Sequence, residues 1–135
     1  MANLKFYSDS LTSGNYLAST FALAVTANTE FISEAGLVGK NASDLIYIRR
    51  PPSVLKFTFK SSVAGKLTVR ITDGTSNSDY QLSDNGSDIT ASIQAEKYIT
   101  IPRMGGSPAN FPRISSLKFS AAGTIDLLIE ELNGA

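Results

Sequence analysis

Residues 53–72 read SVLKFTFKSSVAGKLTVRIT, two runs of alternating apolar and polar side chains joined by a short segment of small residues and one valine. The apolar positions of the two runs are Leu55, Phe57, Phe59, Leu67, Val69 and Ile71. A period of two places one row of side chains in a core and the other row towards water. The stretch therefore predicts two antiparallel strands, which we interpret as a β-hairpin that turns at residues 61–65.

A shorter version of this design closes the chain. Residues 117–129 read LKFSAAGTIDLLI, and both copies contain Leu-Lys-Phe followed by an Ala-Gly pair. The repeat predicts a second hairpin, and the two hairpins together are expected to supply the central core, with Phe57 and Phe119 buried in it.

Short apolar runs separated by turn residues fill the rest of the chain. We predict strands at residues 4–8, 16–25, 31–33, 44–49, 80–82, 89–93 and 97–102, and loops at 34–43 and 73–78. The pair Asn85-Gly86 indicates a tight turn, and no stretch predicts a long helix. Many short strands in 135 residues predict one all-β domain, residues 1–135, folded as an antiparallel β-sandwich and specifically as a jelly roll.

Composition narrows the possible functions. Twelve lysines and arginines balance 12 aspartates and glutamates, which argues against a nucleic-acid partner held by a basic field. Cysteine and histidine are both absent, so thiol nucleophiles, thiolate metal sites and histidine bases are absent too. We expect no enzymatic activity, no cofactor and no metal. The beginning does not resemble a secretory signal and no apolar run is long enough to cross a bilayer, so we expect a soluble protein without a membrane partner.

The acidic residues offer two kinds of candidate site, a metal site and a pair of catalytic carboxylates. Asp73, Asn77, Asp79 and Asp84 partly imitate the ligand spacing of an EF-hand loop, but Ser78 stands where that loop needs glycine. We favour turns that use Asp and Asn for local backbone hydrogen bonds as the explanation of the residues from Asp73 to Asp88, with a weak calcium site as the lesser alternative. Asp126, Glu130 and Glu131 lie on or after the last strand, without a second carboxylate from a separate element to face them across a cleft. No Gly-x-Ser-x-Gly elbow or phosphate-binding loop occurs.

An interface is the remaining kind of site. Residues 102–113 combine Met104 and Phe111 with two glycines and three prolines, so the loop has little means of burying its own apolar side chains. Exposed apolar groups bordered by Arg103 and Arg113 suit a protein interface, although Phe111 capping the sandwich is an equal alternative. Residues 49–52, which are Arg49, Arg50 and two prolines, are a second candidate contact edge, with an ordinary solvated strand end as the favoured alternative.

The last third of the chain resembles the closing strands of β-sandwich proteins from tailed bacteriophages, the capsid decoration or cement class. The resembling segments are KYITIP at residues 97–102, the loop after it, and ISSLKFSAAGTIDL at residues 114–127. The resemblance implies a virion protein, made in the host cytoplasm, that binds the major capsid protein on the outside of the shell as a homo-oligomer, a dimer or trimer.

Two other classes stay open at this point. A carbohydrate-binding module is also a β-sandwich; it favours exposed aromatic rings, for which the chain offers Tyr7, Tyr16, Tyr47, Tyr80 and Tyr98 but no tryptophan. A phage tail or baseplate component is the third possibility, and the sequence does not separate it from a head protein.

Overall fold

The computed structural model describes residues 16–33, 36–37, 46–48, 52–73, 76–102 and 112–133. These residues form β-strands and connections, without a helix. The strands are β1 Tyr16–Val25, β2 Thr29–Ser33, β3 Gly36–Leu37, β4 Ile46–Tyr47, β5 Ser53–Ser61, β6 Leu67–Thr72, β7 Asn77–Leu82, β8 Ala95–Ile101, β9 Arg113–Phe119 and β10 Gly123–Asn133.

The strands form two antiparallel sheets. The first sheet has the order β1-β10-β5-β8. The second has the order β3-β2-β9-β6-β7, and the two-residue strand β4 also pairs with β9. The predicted all-β class and the antiparallel β-sandwich are confirmed. The jelly roll is a more specific assignment than the β-sandwich, and it stays a prediction.

The strand pairs are nested along the chain. Strand β1 pairs with β10, β2 with β9, β5 with β8 and β6 with β7. The innermost pair, β6 and β7, is joined directly, whereas the outermost pair joins opposite ends of the described chain. Each sheet therefore needs strands from both halves of the sequence.

The two predicted hairpins are wrong, although their strands are correct. Strand β5 lies in the first sheet and β6 in the second, and β9 and β10 are divided in the same way. The arms therefore face each other across the core through their side chains instead of pairing through backbone hydrogen bonds. Alternation fixes which face of each arm is apolar, and that face is the same in a hairpin and in an arch between sheets, so the sequence pattern did not separate them.

Several strand boundaries differ from the predictions. Strand β7 begins at Asn77, inside the predicted loop at 73–78, because residues 77–82 pair in register with β6. Residues 89–93 form no strand; Ile89 makes a single backbone bridge to Gly65. Residues 36–37 form β3 inside the predicted loop at 34–43, whose other residues, like the predicted strand at 4–8, lie outside the described part of the chain.

The core lies between the sheets, on the faces that alternation predicted. Phe57, Phe59 and Phe119 are at most 1% exposed. Aliphatic side chains from both sheets surround them: Leu55, Leu67, Val69, Ile71, Ile99, Ile101, Ile114, Leu117, Ile125, Leu127 and Ile129. Burial of these apolar groups is the main force that holds the two sheets together.

The outer face of the first sheet is not uniformly wet. Thr58 lies opposite Leu128 on this face, and both are fully buried. Among the described residues, none forms a hydrogen bond with the Thr58 hydroxyl. Alternation predicted that the polar side chains of β5 face water, and this prediction is wrong for Thr58.

The β5–β6 and β9–β10 connections between the sheets form hydrogen bonds with each other. The Ser62 amide donates to the Thr124 carbonyl, and the Thr124 amide donates back to the Ser62 hydroxyl, both at 2.9 Å. In the same way the Ser120 amide donates to the Lys66 carbonyl at 3.0 Å and the Lys66 amide to the Ser120 hydroxyl at 2.8 Å. The repeated Ala-Gly segments are thus two neighbouring arches that satisfy each other's backbone groups.

Strand β1 carries a bulge where its register with β10 shifts between Thr20 and Leu23. Ala22, in the bulge, has a φ of 53°, in the left-handed region. Its amide donates to Asp126 Oδ1 at 2.6 Å. The carboxylate on β10 therefore supplies the acceptor for an amide that the bulge displaces from the regular ladder.

Replacing Ala22 with glycine is expected to raise the free energy of unfolding by about 0.5 to 1 kcal/mol. Removing Cβ relieves about 1 to 2 kcal/mol of left-handed strain, which exceeds the roughly 0.4 to 1 kcal/mol of extra entropy that glycine gives the unfolded chain. A urea titration measures the change.

The matched control is Ala24→Gly. Ala24 is also an exposed alanine of β1, but it is not among the residues with positive φ. Glycine there should destabilise the fold by about 0.5 to 1 kcal/mol. Equal signs for the two variants would show that the bulge is not strained as described.

Candidate interaction surface

Five of the six predicted interface residues fall outside the described residues: Arg49, Arg50, Arg103, Met104 and Phe111. Arg113 is described. It begins β9, is half-buried, and lies opposite Thr72 of β6 and Tyr47 of β4. The structure thus places Arg113 within the second sheet and leaves the predicted cluster as a prediction.

A different surface stands out along β8. Among the described strands β8 pairs with β5 alone, so it forms one edge of the first sheet. Ile93, two residues before the strand, is 57% exposed, and Tyr98, within it, is 53% exposed. Strand β8 then runs directly into Pro102, where the predicted interface loop begins. We call Ile93, Tyr98 and the β8 edge the β8 surface.

Polar groups surround Tyr98 on the outer face of the sheet. Tyr98 lies directly opposite Lys56 of β5, so the two side chains share a face. Lys56 Nζ is 3.7 Å from Glu96 Oε2, and both side chains retain contact with solvent. The ring is therefore an exposed apolar group beside an ion pair, an arrangement that suits the border of a protein contact or a polar ligand.

One other large apolar side chain is exposed in the described part of the chain. Phe21, next to the bulge of β1, is 37% exposed and lies on the opposite edge of the same sheet. Single exposed apolar residues are common on soluble proteins. Phe21 is useful as a comparison because it matches the chemistry of the β8 surface at a distant position.

The acidic turn residues behave as turn and surface groups. Asp73 Oδ1 accepts the Ser76 amide at 2.8 Å, a local backbone hydrogen bond of the expected kind. Asp79 binds Arg70 through two hydrogen bonds, from Nε at 2.8 Å and from Nη2 at 3.1 Å. Among the described residues no group of three or more acidic, cysteine or histidine side chains is arranged to hold a metal.

The Arg70 pair affects the titration of Asp79. Hydrogen bonds from Arg70 lower the pKa of the Asp79 carboxyl, against an opposing effect of desolvation. A lowered carboxyl pKa means that the stabilisation is present at neutral pH and is lost as the pH falls through that lowered value. Both side chains are about half exposed, so solvent screens the pair and its contribution is small.

The carboxylates of β10 have structural surroundings. Glu131 is 1% exposed, and its Oε2 accepts a hydrogen bond from the Ser53 hydroxyl at 2.9 Å. Glu130, its neighbour, is 5% exposed and points to the opposite face of the sheet. Consecutive residues of one strand face opposite ways, so these two do not form the facing pair that glycoside hydrolysis requires.

A shallow groove of about 190 Å³ lies at the connection between β1 and β2, lined by Leu23, Ala24, Val25, Thr26, Thr29, Glu30 and Phe31. Sites for drug-sized ligands are usually larger, on the order of 300 to 1,000 Å³. We assign it no ligand.

Comparisons with known proteins yield no match to a family model, a curated protein or a solved structure. No helix able to cross a bilayer occurs among the described residues. Function therefore has to be argued from the surface itself.

Sequence reasoning did not identify the β8 surface. Tyr98 is one of five tyrosines that the sequence offers as a sugar-binding ring, but its exposure depends on β8 being a sheet edge, which is a property of the topology. Ile93 belongs to the predicted strand at residues 89–93, which does not form. The one available signal was that the alternation of residues 96–101 puts Tyr98 on the same face as Glu96 and Thr100.

Proposed function

We propose that this protein is a jelly-roll decoration, or cement, protein of a bacteriophage capsid. In this proposal it is made in the host cytoplasm and binds the major capsid protein on the outside of the shell as a homo-oligomer. It acts structurally, without catalysis or a cofactor, and binds neither nucleic acid nor membrane. The proposal is supported by the nested pairing of the strands in the sandwich, the neutral charge balance and the β8 surface.

The nested pairing supports the jelly roll. If the two-residue strands β3 and β4 are set aside, eight strands remain, and they pair first with last inward to the central β6–β7 hairpin. Two four-stranded antiparallel sheets that exchange strands in this way are what a double Greek key requires. Because many functions occur on this fold, the fold alone does not carry the proposal.

The single observation that carries it is the β8 surface. Ile93, just before β8, and Tyr98, within it, are exposed apolar groups, at 57% and 53% exposure, and this edge strand leads into the predicted interface loop. A capsid presents many copies of the same surface, so even modest contacts by each copy become strong when an oligomer binds at several points. Neither a deep pocket nor a charged groove is needed for such binding.

The test is binding to purified capsids from which the protein has been removed. The variant Ile93→Ser with Tyr98→Ser should lose most shell binding in a sedimentation assay while keeping the melting temperature close to that of the original protein. Phe21→Ser is the matched control, because it removes an exposed apolar side chain from the opposite edge of the sheet, and it should bind normally.

Two outcomes decide between the parts of the proposal. Normal binding by the β8 variant, with loss of binding on replacing Met104 and Phe111 by serine, would move the interface from the β8 surface to the loop at 102–113. Absence of the protein from particles examined by electron microscopy would contradict the capsid function altogether.

Carbohydrate binding is the second candidate, and the exposed ring of Tyr98 favours it. Sugars stack on aromatic faces and form hydrogen bonds with neighbouring charged groups, which Lys56 and Glu96 offer here. Tyr80, in contrast, packs against the core. Specific binding on a glycan array that Tyr98→Ala abolishes would favour this function over capsid binding.

A further inference from the structure

The tight turn between Asp84 and Ser87 has a defined backbone geometry. The Asp84 amide donates to the Ser87 carbonyl at 2.9 Å, and the Ser87 amide donates to the Asp84 carbonyl at 3.0 Å. Asn85 has a φ of 54° and Gly86 a φ of 90°, so both central residues lie in the left-handed region, as in a type I′ turn. The predicted Asn-Gly turn is confirmed, and both residues are exposed.

An exposed Asn-Gly pair has its own chemistry. The backbone nitrogen of Gly86, which has no Cβ to obstruct it, is able to attack the Asn85 side-chain carbonyl carbon Cγ. A new N–Cγ bond forms, the Cγ–Nδ2 bond breaks, and ammonia leaves with the amide proton to give a cyclic succinimide. Water then opens the ring at either carbonyl, giving aspartate or isoaspartate, so that the net change is one water consumed and one ammonia released.

The folded turn opposes this attack in two ways. In a type I′ turn the first central residue has a ψ of roughly +30°, the mirror image of type I. This rotation turns the Gly86 nitrogen away from the side of Asn85 that carries Cβ and Cγ. In addition, the Gly86 amide donates to the Ser83 hydroxyl oxygen at 3.0 Å, which holds it in that direction.

We propose that Asn85 is a site of spontaneous deamidation whose rate is set by opening of the Asp84–Ser87 turn. The hydrogen bond from the Gly86 amide to the Ser83 hydroxyl keeps this turn closed. The reaction requires local opening, because only then does the Gly86 nitrogen reach Cγ. Each event adds one negative charge to a protein of zero formal net charge. Isoaspartate also adds a methylene to the main chain and disrupts the two-residue turn. This inference does not depend on the proposed capsid function.

The experiment incubates the full-length protein in mildly alkaline buffer, folded and in concentrated urea. Peptide mass spectrometry then quantifies aspartate and isoaspartate at position 85. The folded protein should convert several-fold more slowly than the unfolded chain. Ser83→Ala should speed conversion of the folded protein several-fold and leave the unfolded rate unchanged, while Ser83→Thr, which keeps a hydroxyl, should restore slow conversion.

Ser78→Ala is the matched control, since Ser78 is an exposed serine of β7 outside the turn. It should leave the rate at Asn85 unchanged. Equal rates in the folded and unfolded protein would overturn control by the turn, and no conversion even in urea would overturn the site itself. A folded Ser83→Ala protein that converts at the original rate would show that the Ser83 hydroxyl does not slow deamidation.

Discussion

Replacing Phe119 with alanine is expected to lower the free energy of unfolding by about 3 to 5 kcal/mol, the range for a fully buried phenylalanine. Phe119 is 1% exposed and lies in the core cluster on β9. The truncation removes apolar contacts and leaves a cavity that the two sheets only partly close. Phe57→Ala, at a side chain with no exposure on β5, should have a loss in the same range.

Denaturant titration by circular dichroism measures both losses. Phe21→Ala provides the control, because the same truncation at a 37% exposed side chain removes less buried surface and should cost less, about 1 to 2 kcal/mol. If Phe119→Ala and Phe21→Ala unfolded at the same denaturant concentration, the inward face assigned to β9 would be incorrect.

The second large effect is expected at Gly65. A Cβ at this position would lie 2.6 Å and 2.7 Å from two ring carbons of Phe119 and 2.8 Å from Ser120 Oγ. Real side chains do not approach so closely, so either the ring or the arch has to move. Gly65→Ala should therefore cost about 1 to 3 kcal/mol, the usual range for overpacking a core.

A double-mutant cycle identifies the cause of that loss. With Phe119 already replaced by alanine, Gly65→Ala should cost much less, because the obstructing ring is gone. Gly86→Ala is the contrasting case. Its Cβ would meet no atom within 4 Å, and its cost arises from a φ of 90° alone, so the Phe119 background should not change it. Additive losses at Gly65 and Phe119 would contradict the steric explanation.

The sequence predicted the apolar faces better than the connections between strands. Alternation correctly placed Phe57, Leu67 and Phe119 in the core, since a period of two is a local property of the chain. The strand that follows β5 can either pair with it or cross to the other sheet. Which of these occurs depends on the distant strands that pair with β5, and no local sequence pattern predicts them. The Ala-Gly repeat predicted two hairpin turns. In the structure the two segments are neighbouring arches between the sheets, and they form hydrogen bonds with each other.

The candidate site was less accessible to prediction. The composition of residues 102–113 makes self-burial difficult and so predicts an interface, and this interface stays a prediction. The exposure of Tyr98 follows from the position of β8 at the edge of the first sheet, and strand order in a sandwich is a global property. The buried state of Glu131 was missed for a similar reason, because its acceptor contact with Ser53 joins positions 78 residues apart.

The pairing of β1 with β10 has a consequence for how the protein is made. The Ala22 amide and the Asp126 carboxylate that accepts its hydrogen bond are 104 positions apart in the chain. At roughly 5 to 20 residues per second, a ribosome needs about 5 to 20 seconds to synthesise the residues between them. During that time β1, ten residues without a charged side chain, lacks its partner, because among the described strands it pairs with β10 alone. Folding of the first sheet is therefore completed only near the end of synthesis, and a nascent chain that stops before residue 123 exposes an uncharged strand to other unfinished copies.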